Sequence, residues 1–232
     1  MAGIFNHKFI TMEEQLDIFG AKSDPLDKNL LKHKLQNTEF NSGHAGFLII
    51  PWEAADERLA ISYHNYQTPV GEILLAATDK GIVYLGFTKS SRIAALDDLR
   101  KRFPENELVE EETGYILDAV YKLHRPNSKM EVPLHLKGTP YQLAIWEKLL
   151  RVPFGGLVNY GKLALNEPDA REIGAAVGSN PVCLLVPCHR VIKADGTYKG
   201  YFWGDKKKAE LLTYEAAQNA KATGNNQSPA LK

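Results

Sequence analysis

A cysteine followed directly by a histidine is the first chemical signal in this sequence. Cys188 and His189 lie side by side in the run Pro187-Cys188-His189-Arg190. A thiolate is a strong nucleophile, and a neighbouring histidine can take up the thiol proton. The alternative is a buried structural cysteine, which is the commoner outcome for an isolated Cys-His pair. The pair therefore needs support from a further residue.

Glu215 is the candidate for that support. It lies four residues after Leu211 and three after Leu212, so it shares a helical face with the leucines that anchor the last predicted helix. A buried carboxylate is costly unless it is paired, and a histidine is a suitable partner. Cys188, His189 and Glu215 thus form a candidate nucleophile, base and orienting carboxylate. A surface glutamate on a fraying helix end remains the alternative.

The cysteine count limits what else these residues can do. Cys183 and Cys188 are the two cysteines of the chain. Two thiols exclude a disulfide framework and a zinc site built mainly from thiolates, so we expect no metal site. Cys183 has no assigned purpose.

Length and composition predict a globular protein of one or two domains. The chain has 232 residues, 44% of them hydrophobic, with 28 basic and 28 acidic side chains. Its longest uncharged apolar stretches, Gly46–Trp52 and Pro181–Cys188, are far shorter than the ~20 residues of a membrane span. We expect no membrane partner, and the absence of a basic and apolar leader predicts an intracellular protein.

The net charge of zero argues, at face value, against a nucleic-acid partner. The charge is unevenly distributed, however: it is −5 over residues 1-135, +3 over residues 136-218 and +2 over the tail. The N-terminal part of the chain is acidic and the C-terminal part is basic, so a net charge of zero does not exclude DNA as a partner.

The first half of the chain predicts a small sheet with helices. Residues 1-58 offer one helix, Pro25 to Gln36, with Asp24 as its cap. A second helix is predicted over Ser91 to Phe103. Between them, three β-rich runs separated by turns predict an antiparallel sheet: Leu59 to Tyr66, Glu72 to Ala77 and Ile82 to Phe87.

Three helices in succession predict a helix-turn-helix in the last third. Thr139 and Gln142 form a capping box for a helix that begins at Pro140, Asn159 can cap a short second helix, and Pro168 can open a third that runs to Gly178.

A wing and a closing helix are predicted to follow. Extended segments at Leu184 to Val186 and Val191 to Lys193, with a turn at Asp195-Gly196, predict the wing. The closing helix, Asp205 to Ala217, begins with three lysines, which indicate an anionic neighbour or are merely solvated.

The third helix carries a strip almost without side chains. Ala170, Gly174 and Gly178 recur every four residues, with Arg171 at the edge. Spacing alone leaves two explanations open: another helix packs there, or the backbone approaches a DNA groove. The arginine favours DNA.

Taken together, these motifs closely resemble the O6-alkylguanine-DNA alkyltransferases. The resemblance spans roughly residues 60 to 217 and is dense from 137 to 215. Its most specific part is the Pro-Cys-His-Arg-Val core. The other matching runs are Gly138 to Gln142 with Trp146, Val152 to Gly155, Asn159-Tyr160, Asn180-Pro181, Gly200-Tyr201 and Lys208 to Glu215.

The resemblance implies direct DNA repair without a metal or cofactor. The protein would flip O6-methylguanine, and O4-methylthymine as well, out of duplex DNA and move the methyl group irreversibly onto its own cysteine. We expect a monomer that acts once. Two alternatives stay open: an alkyltransferase-like protein that binds lesions without catalysis, and a winged-helix regulator.

The resemblance also implies residue roles. Cys188 would accept the alkyl group, His189 would deprotonate it through a water, and Glu215 would orient His189. Tyr160 would donate to guanine N3, and Asn180 would brace the turn before the active-site strand. Guanine would be held by the Cys188 and Val191 carbonyls and by the Tyr201 ring, with Phe202 and Trp203 at the pocket. In the DNA, Arg171 would take the place of the flipped base, and Ala170 and Gly174 would lie at the groove.

Some positions depart from the family pattern. Tyr160 and Arg171 lie eleven residues apart where fourteen is usual, and the acidic Asp169 and Glu172 predict modest DNA affinity. Phe202-Trp203 replaces a small pair, as in the C-terminal domain of the adaptive-response protein Ada, so we expect a narrow pocket.

The expected fold is α/β in two parts, a ribonuclease H-like sheet-and-helix domain followed by a winged helix-turn-helix catalytic domain. We expect four segments: an extension of unknown role (1-58), the ribonuclease H-like domain (59-135), the catalytic domain (136-218) and a disordered tail (219-232).

Overall fold

The computed structural model describes residues 26–88, 92–126, 128–165 and 170–224. Over these residues the chain folds as an α/β protein with two units, a sheet flanked by helices and a helical unit that carries Cys188, which confirms the predicted fold class. The helices are α1 (Lys28–Asn37), α2 (Arg92–Arg102), α3 (Gly114–His124), α4 (Pro140–Leu150), α5 (Tyr160–Leu163), α6 (Ala170–Gly178) and α7 (Asp205–Gly224). The strands are β1 (Phe47–Pro51), β2 (Ile61–Thr68), β3 (Gly71–Thr78), β4 (Gly81–Phe87), β5 (Leu108–Glu110), β6 (Val132–Leu136), β7 (Val158–Asn159) and β8 (Val191–Ile192).

The main sheet is larger than the predicted one. Its six strands follow the order β1-β6-β4-β3-β2-β5. The three predicted strands form its antiparallel centre, β2-β3-β4, as expected. The other three strands add parallel pairs at both sides. Since β1 comes from the predicted extension of residues 1-58, part of that segment belongs to the sheet.

Both faces of the central strands are buried. Alternate residues of β3, such as Ile73 and Leu75, face the core that contains α3, α4 and the helical unit, whereas Leu74 faces a second core with Leu99 of α2. This two-sided burial explains why β3 and β4 are almost continuously apolar. The sheet therefore gives the helical unit a rigid base.

Helix α1 begins later than predicted. Asp27, not Asp24, is the N-cap, and its carboxylate accepts from the backbone N–H groups of Asn29 and Leu30, both at 3.0 Å. Asp24 and Pro25 lie outside the described residues. The buried side of α1 packs on the helical unit, in a cluster of Leu31, Leu35, Leu157, Ile192 and Leu212.

The predicted helix starts in the last third are confirmed where the structure describes them. Thr139 and Gln142 form the capping box of α4, and the Asn159 side chain accepts from the Lys162 N–H at the start of α5. The Trp146 indole N–H donates to the Ala176 carbonyl at 2.7 Å and joins α4 to α6. The predicted start of the third helix, with Pro168 and Asp169, lies outside the described residues.

The predicted wing is formed only in part. Strand β8 pairs in parallel with β7, and the turn closes through a 2.8 Å bond from Lys193 N–H to the Thr197 carbonyl. Residues 197–201, all of them described, form no second strand. Leu184 was expected to be extended but sits in a turn with φ 71°.

The C-terminal helix is longer than predicted. It continues to Gly224 instead of ending near Ala217, so residues 219–224 of the expected disordered tail are helical. Residues 225–232 lie outside the described part. None of the described helices is long and apolar enough to cross a membrane.

Candidate active site

Cys188 opens a 3₁₀ turn, Cys188–Arg190, that leads into β8. Its backbone N–H donates to the Val186 carbonyl at 2.8 Å, and its side chain is almost fully buried. The backbone around the nucleophile is therefore fixed on both sides.

Asn180 holds the turn that precedes this segment, as predicted. Its side-chain N–H donates to the Val186 carbonyl at 2.8 Å, and its side-chain oxygen accepts from the Val182 N–H at 3.0 Å. One amide thus bridges both ends of the turn in which Leu184 takes its left-handed conformation. Removing it would leave the Val182 N–H without this partner, whereas the Val186 carbonyl would keep the bond from the Cys188 N–H.

The predicted contact between His189 and Glu215 is present. His189 Nε2 lies 2.9 Å from Glu215 Oε1, and both side chains are buried. The alternative of a surface glutamate is therefore wrong. The second carboxylate oxygen accepts from the Gly155 N–H at 2.9 Å, so the loop after α4 also fixes Glu215.

Arg190 completes this network, and sequence reasoning missed it. Its guanidinium holds Glu215 through Nε, at 3.0 and 3.1 Å from the two carboxylate oxygens, and through Nη2, at 2.8 Å. Nη1 donates to the Val152 carbonyl at 2.7 Å. The signal that could have found it is an arginine inside the apolar run that contains Cys188, because a buried guanidinium needs a carboxylate.

Burial and pairing set the charge states of the network. Burial alone would raise the pKa of Glu215, but the Arg190 charge and the hydrogen bonds from Arg190 and His189 outweigh it and hold the pKa well below the ordinary value. Burial lowers the pKa of His189 despite the attraction of Glu215. At neutral pH the glutamate is ionised and the histidine is neutral, which is the state a base requires.

Cys188 rests as a thiol. Burial raises the pKa of Cys188, although hydrogen bonds from Asn180 and Tyr201 and the charge of Lys208 oppose the shift. A base must therefore remove the thiol proton before the sulfur can act as a nucleophile. Among the described residues, no group hydrogen bonds to the buried His189 Nδ1, the nitrogen opposite the one that faces Glu215.

A small cavity gives access to the thiol. Its volume is about 40 Å³, and Cys188 Sγ lies 3.7 Å from the Tyr201 hydroxyl at its wall. Room for a few waters does not accommodate a purine, so a base can enter only if the lining moves. The lining comprises Tyr160, Gly174, Val177, Gly178, Asn180, Cys188, Gly200, Tyr201, Phe202, Trp203 and Lys208.

Two tyrosines flank the thiol in a desolvated setting. Burial raises the pKa of Tyr160, and the nearby Cys188 adds to the shift. The same two causes raise the pKa of Tyr201 further. Both phenols therefore stay protonated near neutral pH and can donate a hydrogen bond to a bound base.

Lys208 is the cation of this cavity, and the predicted set of site residues did not include it. Its ammonium donates to the Val191 carbonyl at 2.6 Å and lies 5.6 Å from the centre of the Tyr201 ring. Burial lowers the pKa of Lys208 to about 8, against the attraction of Cys188. Since Lys208 and Glu215 are seven residues apart on one helix, their shared face is the signal that could have found it.

The three lysines at the start of α7, Lys206 to Lys208, have different surroundings. Lys208 is buried and donates to the Val191 carbonyl, so it is not merely solvated. Lys207 bonds to Glu210 and to the Val70 carbonyl, and Lys206 is exposed.

The carbonyls expected to hold guanine already have partners. Val191 accepts from Lys208, and the Cys188 carbonyl accepts from the Val191 N–H. Each carbonyl oxygen can accept a second bond, so the expectation stays a prediction.

Trp203 connects the cavity to the sheet. Its ring packs edge-to-face on Phe87 at 5.7 Å and on Phe202 at 5.0 Å, while Phe202 itself is half exposed. Cys183 is fully buried behind this region, where its N–H bonds the Leu85 carbonyl. It does not line the cavity.

The small-residue strip of α6 faces open space. A Cβ added to Gly174 or Gly178 would meet no atom of the described residues within 4 Å, which rules out helix packing at these two positions. Ala170 and Arg171 are exposed on the same helix, and Arg171 does not line the cavity. The described residues contain no group of three or more His, Cys, Asp or Glu side chains that could hold a metal ion.

Two family models match the chain. The model described as 6-O-methylguanine DNA methyltransferase, DNA binding domain, matches residues 140–217. The model described as the ribonuclease-like domain of the same protein matches residues 61–119.

Curated relatives agree with these matches. The inducible methylated-DNA–protein-cysteine methyltransferase of Bacillus subtilis is 37% identical over 147 residues, which cover 61% of this chain and 82% of the relative. The Methanosarcina acetivorans enzyme of that name is 34% identical, over 67% of this chain and 98% of its own. The bifunctional Ada protein of Escherichia coli is 31% identical over 69% of this chain, which spans about half (47%) of Ada.

Solved structures extend the likeness to the fold. The O6-methylguanine methyltransferase of Mycobacterium tuberculosis superposes with a TM-score of 0.55 and 27% identity, over 74% of this chain and 96% of that one. The structure titled as the OGT protein of that organism in complex with DNA has the same TM-score, 28% identity, and coverage of 68% and 94%.

Proposed function

The chain belongs to the O6-methylguanine-DNA methyltransferase family, and we propose from this that Cys188 is the residue to which it transfers the methyl group. The protein is a methylated-DNA–protein-cysteine methyltransferase that repairs DNA directly. The observation that carries the assignment to Cys188 is the buried network behind it, with the neutral His189 held by an ionised Glu215.

The reaction forms one bond and breaks one. His189 takes the Cys188 proton through a water, and the resulting thiolate attacks the methyl carbon of O6-methylguanine. A sulfur–carbon bond forms while the carbon–O6 bond breaks, and its electron pair stays with the purine. Tyr160 donates its proton to N3, so guanine leaves as a neutral base, and the proton that His189 took from Cys188 returns to the phenolate. The thioether does not hydrolyse, so each molecule acts once.

The network supplies a proton acceptor without an external cofactor. Glu215 can orient His189 and stabilise the imidazolium that forms, and Arg190 keeps Glu215 ionised. Lys208 stabilises the thiolate across the cavity. This is the nucleophile, base and carboxylate logic of a triad with sulfur in place of oxygen.

The substrate is O6-alkylguanine in double-stranded DNA, with O4-methylthymine as a second substrate. The buried thiol requires that the base leave the stack, at a cost of a few kcal/mol. The open strip of α6 can approach the groove, and Arg171 at its edge can occupy the space of the flipped base. Ala170 and Gly174 then contact the backbone, while Tyr201, Phe202 and Trp203 surround the base.

The protein acts as a monomer inside the cell, where its DNA substrate is. That compartment is the cytoplasm of a bacterium or the nucleus of a eukaryote. A winged helix-turn-helix reading of the DNA-binding unit is supported by α5, α6 and the turn after β8.

The two alternative functions are not favoured. A lesion-binding protein without catalysis needs no nucleophile, and a regulator needs no buried His189–Glu215–Arg190 network beside one. Here Cys188 lines the cavity, and the network begins at the next residue of the chain.

Mass spectrometry of the reacted protein tests the assignment. After incubation with duplex DNA that contains O6-methylguanine, we expect one methyl group on the peptide with Cys188 and none on Cys183. The Cys188→Ala variant should lose methyl transfer and retain DNA binding. Cys183→Ala is the matched control and should still transfer. An unmodified Cys188 in protein that binds this DNA would contradict the assignment.

A further inference from the structure

Helix α1 is not explained by the repair chemistry. It lies outside both segments that the family models match. Nevertheless it is part of the catalytic unit, because Leu31 and Leu35 are buried against Leu157 and Ile192. A helix fixed in this way places its other face at a defined position on the surface.

The exposed side of α1 meets the turn after β8. A Cβ added to Gly196 would lie 3.0 Å from Lys28 Cγ and 3.5 Å from Lys32 Cγ, so the stems of both lysines cover this turn. At the other end of the helix, Lys162 Nζ donates to the Leu35 carbonyl at 3.0 Å and joins α1 to α5. The lysine positions are thus set by contacts along the whole helix.

A cleft with excess positive charge results. Lys28, Lys199 and Lys206 line it, together with Tyr198 and Asp205. Among the described residues, Lys32, Lys199 and Lys206 have no carboxylate partner, and the 3.8 Å pair of Lys28 with Asp195 is more than half exposed on both sides. Such a pair contributes little and gives way readily to a stronger anion.

The one carboxylate of the cleft is already engaged. Asp205 Oδ1 accepts from the Gly200 N–H at 2.7 Å and from the Tyr201 N–H at 3.3 Å. The lysines therefore remain available to an external anion.

The cleft adjoins the thiol cavity. Lys199 precedes the cavity residue Tyr201 by two residues, and Lys206 precedes Lys208 by two. Two residues of chain reach at most about 7 Å. Phosphates of one DNA strand follow each other at about 3.4 Å along the helix axis. The phosphates that flank a nucleotide in the cavity must therefore lie within about 7 Å of it, which is also the reach from the cavity to Lys199 and Lys206.

We propose that the cleft formed by α1 and the turn after β8 is an accessory site for the DNA phosphates that flank the lesion nucleotide, with Lys28 and Lys32 as its α1 contacts. The proposal rests on the proposed function in taking duplex DNA as the partner. It assigns α1 a role in DNA binding and extends the DNA-binding surface beyond α6.

The salt dependence of binding tests the site. The full chain is titrated with an unmodified duplex and with one containing O6-methylguanine, from 50 to 200 mM salt. Each phosphate contact contributes a slope of about −0.9 in log K against log salt. For the Lys28→Gln/Lys32→Gln variant we expect a slope shallower by about 1.8, so wild type loses about tenfold more affinity over this range. The loss should be equal for both duplexes, because phosphate contacts carry no base specificity.

Two further variants complete the test: one should leave DNA affinity unchanged, and the other should increase it. Lys129→Gln removes an exposed lysine from the loop between α3 and β6 and should bind with the wild-type slope. Asp195→Asn removes an anion beside Lys28 and should bind more tightly, while its amide oxygen keeps the bond from the Thr197 N–H. Thermal unfolding verifies that each variant is folded.

A wild-type slope in the double variant would overturn the proposal, as would weaker binding by Asp195→Asn. Methyl transfer from free O6-methylguanine base separates this outcome from failure of the proposed function. That reaction needs Cys188 but no phosphate contact, so its rate should be the same in Lys28→Gln/Lys32→Gln, in Lys129→Gln and in wild type. If the protein fails to transfer methyl from the free base but the double variant still shows the shallower salt slope, the catalytic assignment is rejected and the phosphate site is retained.

Discussion

At the scale of single residues, the site combines the buried Cys188 thiol with a network in which every polar group needs its partner. Glu215 satisfies His189, Arg190 and the Gly155 N–H together. Burial of three polar side chains is stable only while all of them are paired. Chemistry and stability therefore depend on the same carboxylate.

Replacing Glu215 should lower stability and reactivity at once. Glu215→Gln leaves the Arg190 charge buried without its counter-ion, which costs about 3 kcal/mol of unfolding free energy. Urea denaturation at pH 7 measures this loss. Glu210→Gln, on the same helix but partly exposed in its pair with Lys207, should cost less than about 1 kcal/mol.

The effect of Glu215→Gln on the free energy of unfolding should depend on pH in a defined direction. The depressed pKa of Glu215 stabilises the fold above the ordinary glutamate value of 4.5 and loses that contribution as pH falls below it. The gap in stability between wild type and Glu215→Gln should accordingly shrink below pH 4.5. A gap that does not change with pH would contradict a role for the ionised carboxylate.

Lys208 should set the pH profile of methyl transfer. Burial raises the pKa of Cys188 and the Lys208 ammonium opposes that shift, so the rate should rise with pH up to about pH 8, where Lys208 itself deprotonates. Lys208→Gln should move the profile toward higher pH and slow transfer at pH 7 by about tenfold, the equivalent of one pKa unit. The exposed Lys206→Gln is the control for free-base transfer. An unshifted profile would show that Lys208 does not stabilise the thiolate.

At the scale of elements, α1 should stabilise the catalytic unit. Leu35 is 4% exposed and packs against Leu157 and Leu212. Truncating a buried leucine costs about 2–5 kcal/mol through lost burial and the cavity left behind. Leu35→Ala should lower the unfolding free energy by that amount in urea titrations.

Leu117→Ala serves as the matched change on another helix. Leu117 is 46% exposed on α3, so its truncation should change stability by no more than about 0.5 kcal/mol. Equal effects of the two substitutions would mean that α1 is not packed on the catalytic unit as described.

Local signals made several elements predictable from the sequence. The capping box of Thr139 and Gln142 fixed the start of α4, and Asn159 fixed that of α5, because a cap acts within a few residues. Strands β1, β5 and β6 were missed, since each is short and pairs in parallel with a segment distant in sequence. Such pairing depends on the whole sheet and leaves no local pattern.

The site was predictable to the same extent. Helical spacing placed Glu215 on the buried face, and its contact with His189 followed. The anchoring of Arg190 on the Val152 carbonyl could not be anticipated, because it depends on how the loop after α4 folds back. The raised pKa of Cys188 likewise follows from burial, which a motif does not reveal.

At the scale of the whole molecule, the sheet limits the size of the cavity. Trp203 reaches from the cavity wall to β4, where a Cβ on Gly86 would lie 2.8 Å from its Cη2 atom. The end of the Tyr84 ring lies nearer still to that Cβ position, so glycine at position 86 makes room for both rings. Gly200 and Gly204, at φ 88° and 94°, flank the segment that carries it. The sheet and the catalytic unit jointly hold the indole against the cavity.

This arrangement predicts a restricted range of alkyl groups. A cavity of about 40 Å³ must already open for guanine, and a benzyl group requires the indole to move as well. Overpacking costs about 1–3 kcal/mol, or about five- to 150-fold in rate. Free O6-benzylguanine should therefore inactivate wild type far more slowly than a methylated duplex does.

Trp203→Ser should accelerate the benzyl reaction, whereas Phe202→Ser, at a half-exposed ring, should not. If the benzyl base and the methylated duplex inactivate wild type at equal rates, the indole does not limit the pocket, and the Gly200 to Gly204 segment must open far enough to withdraw it.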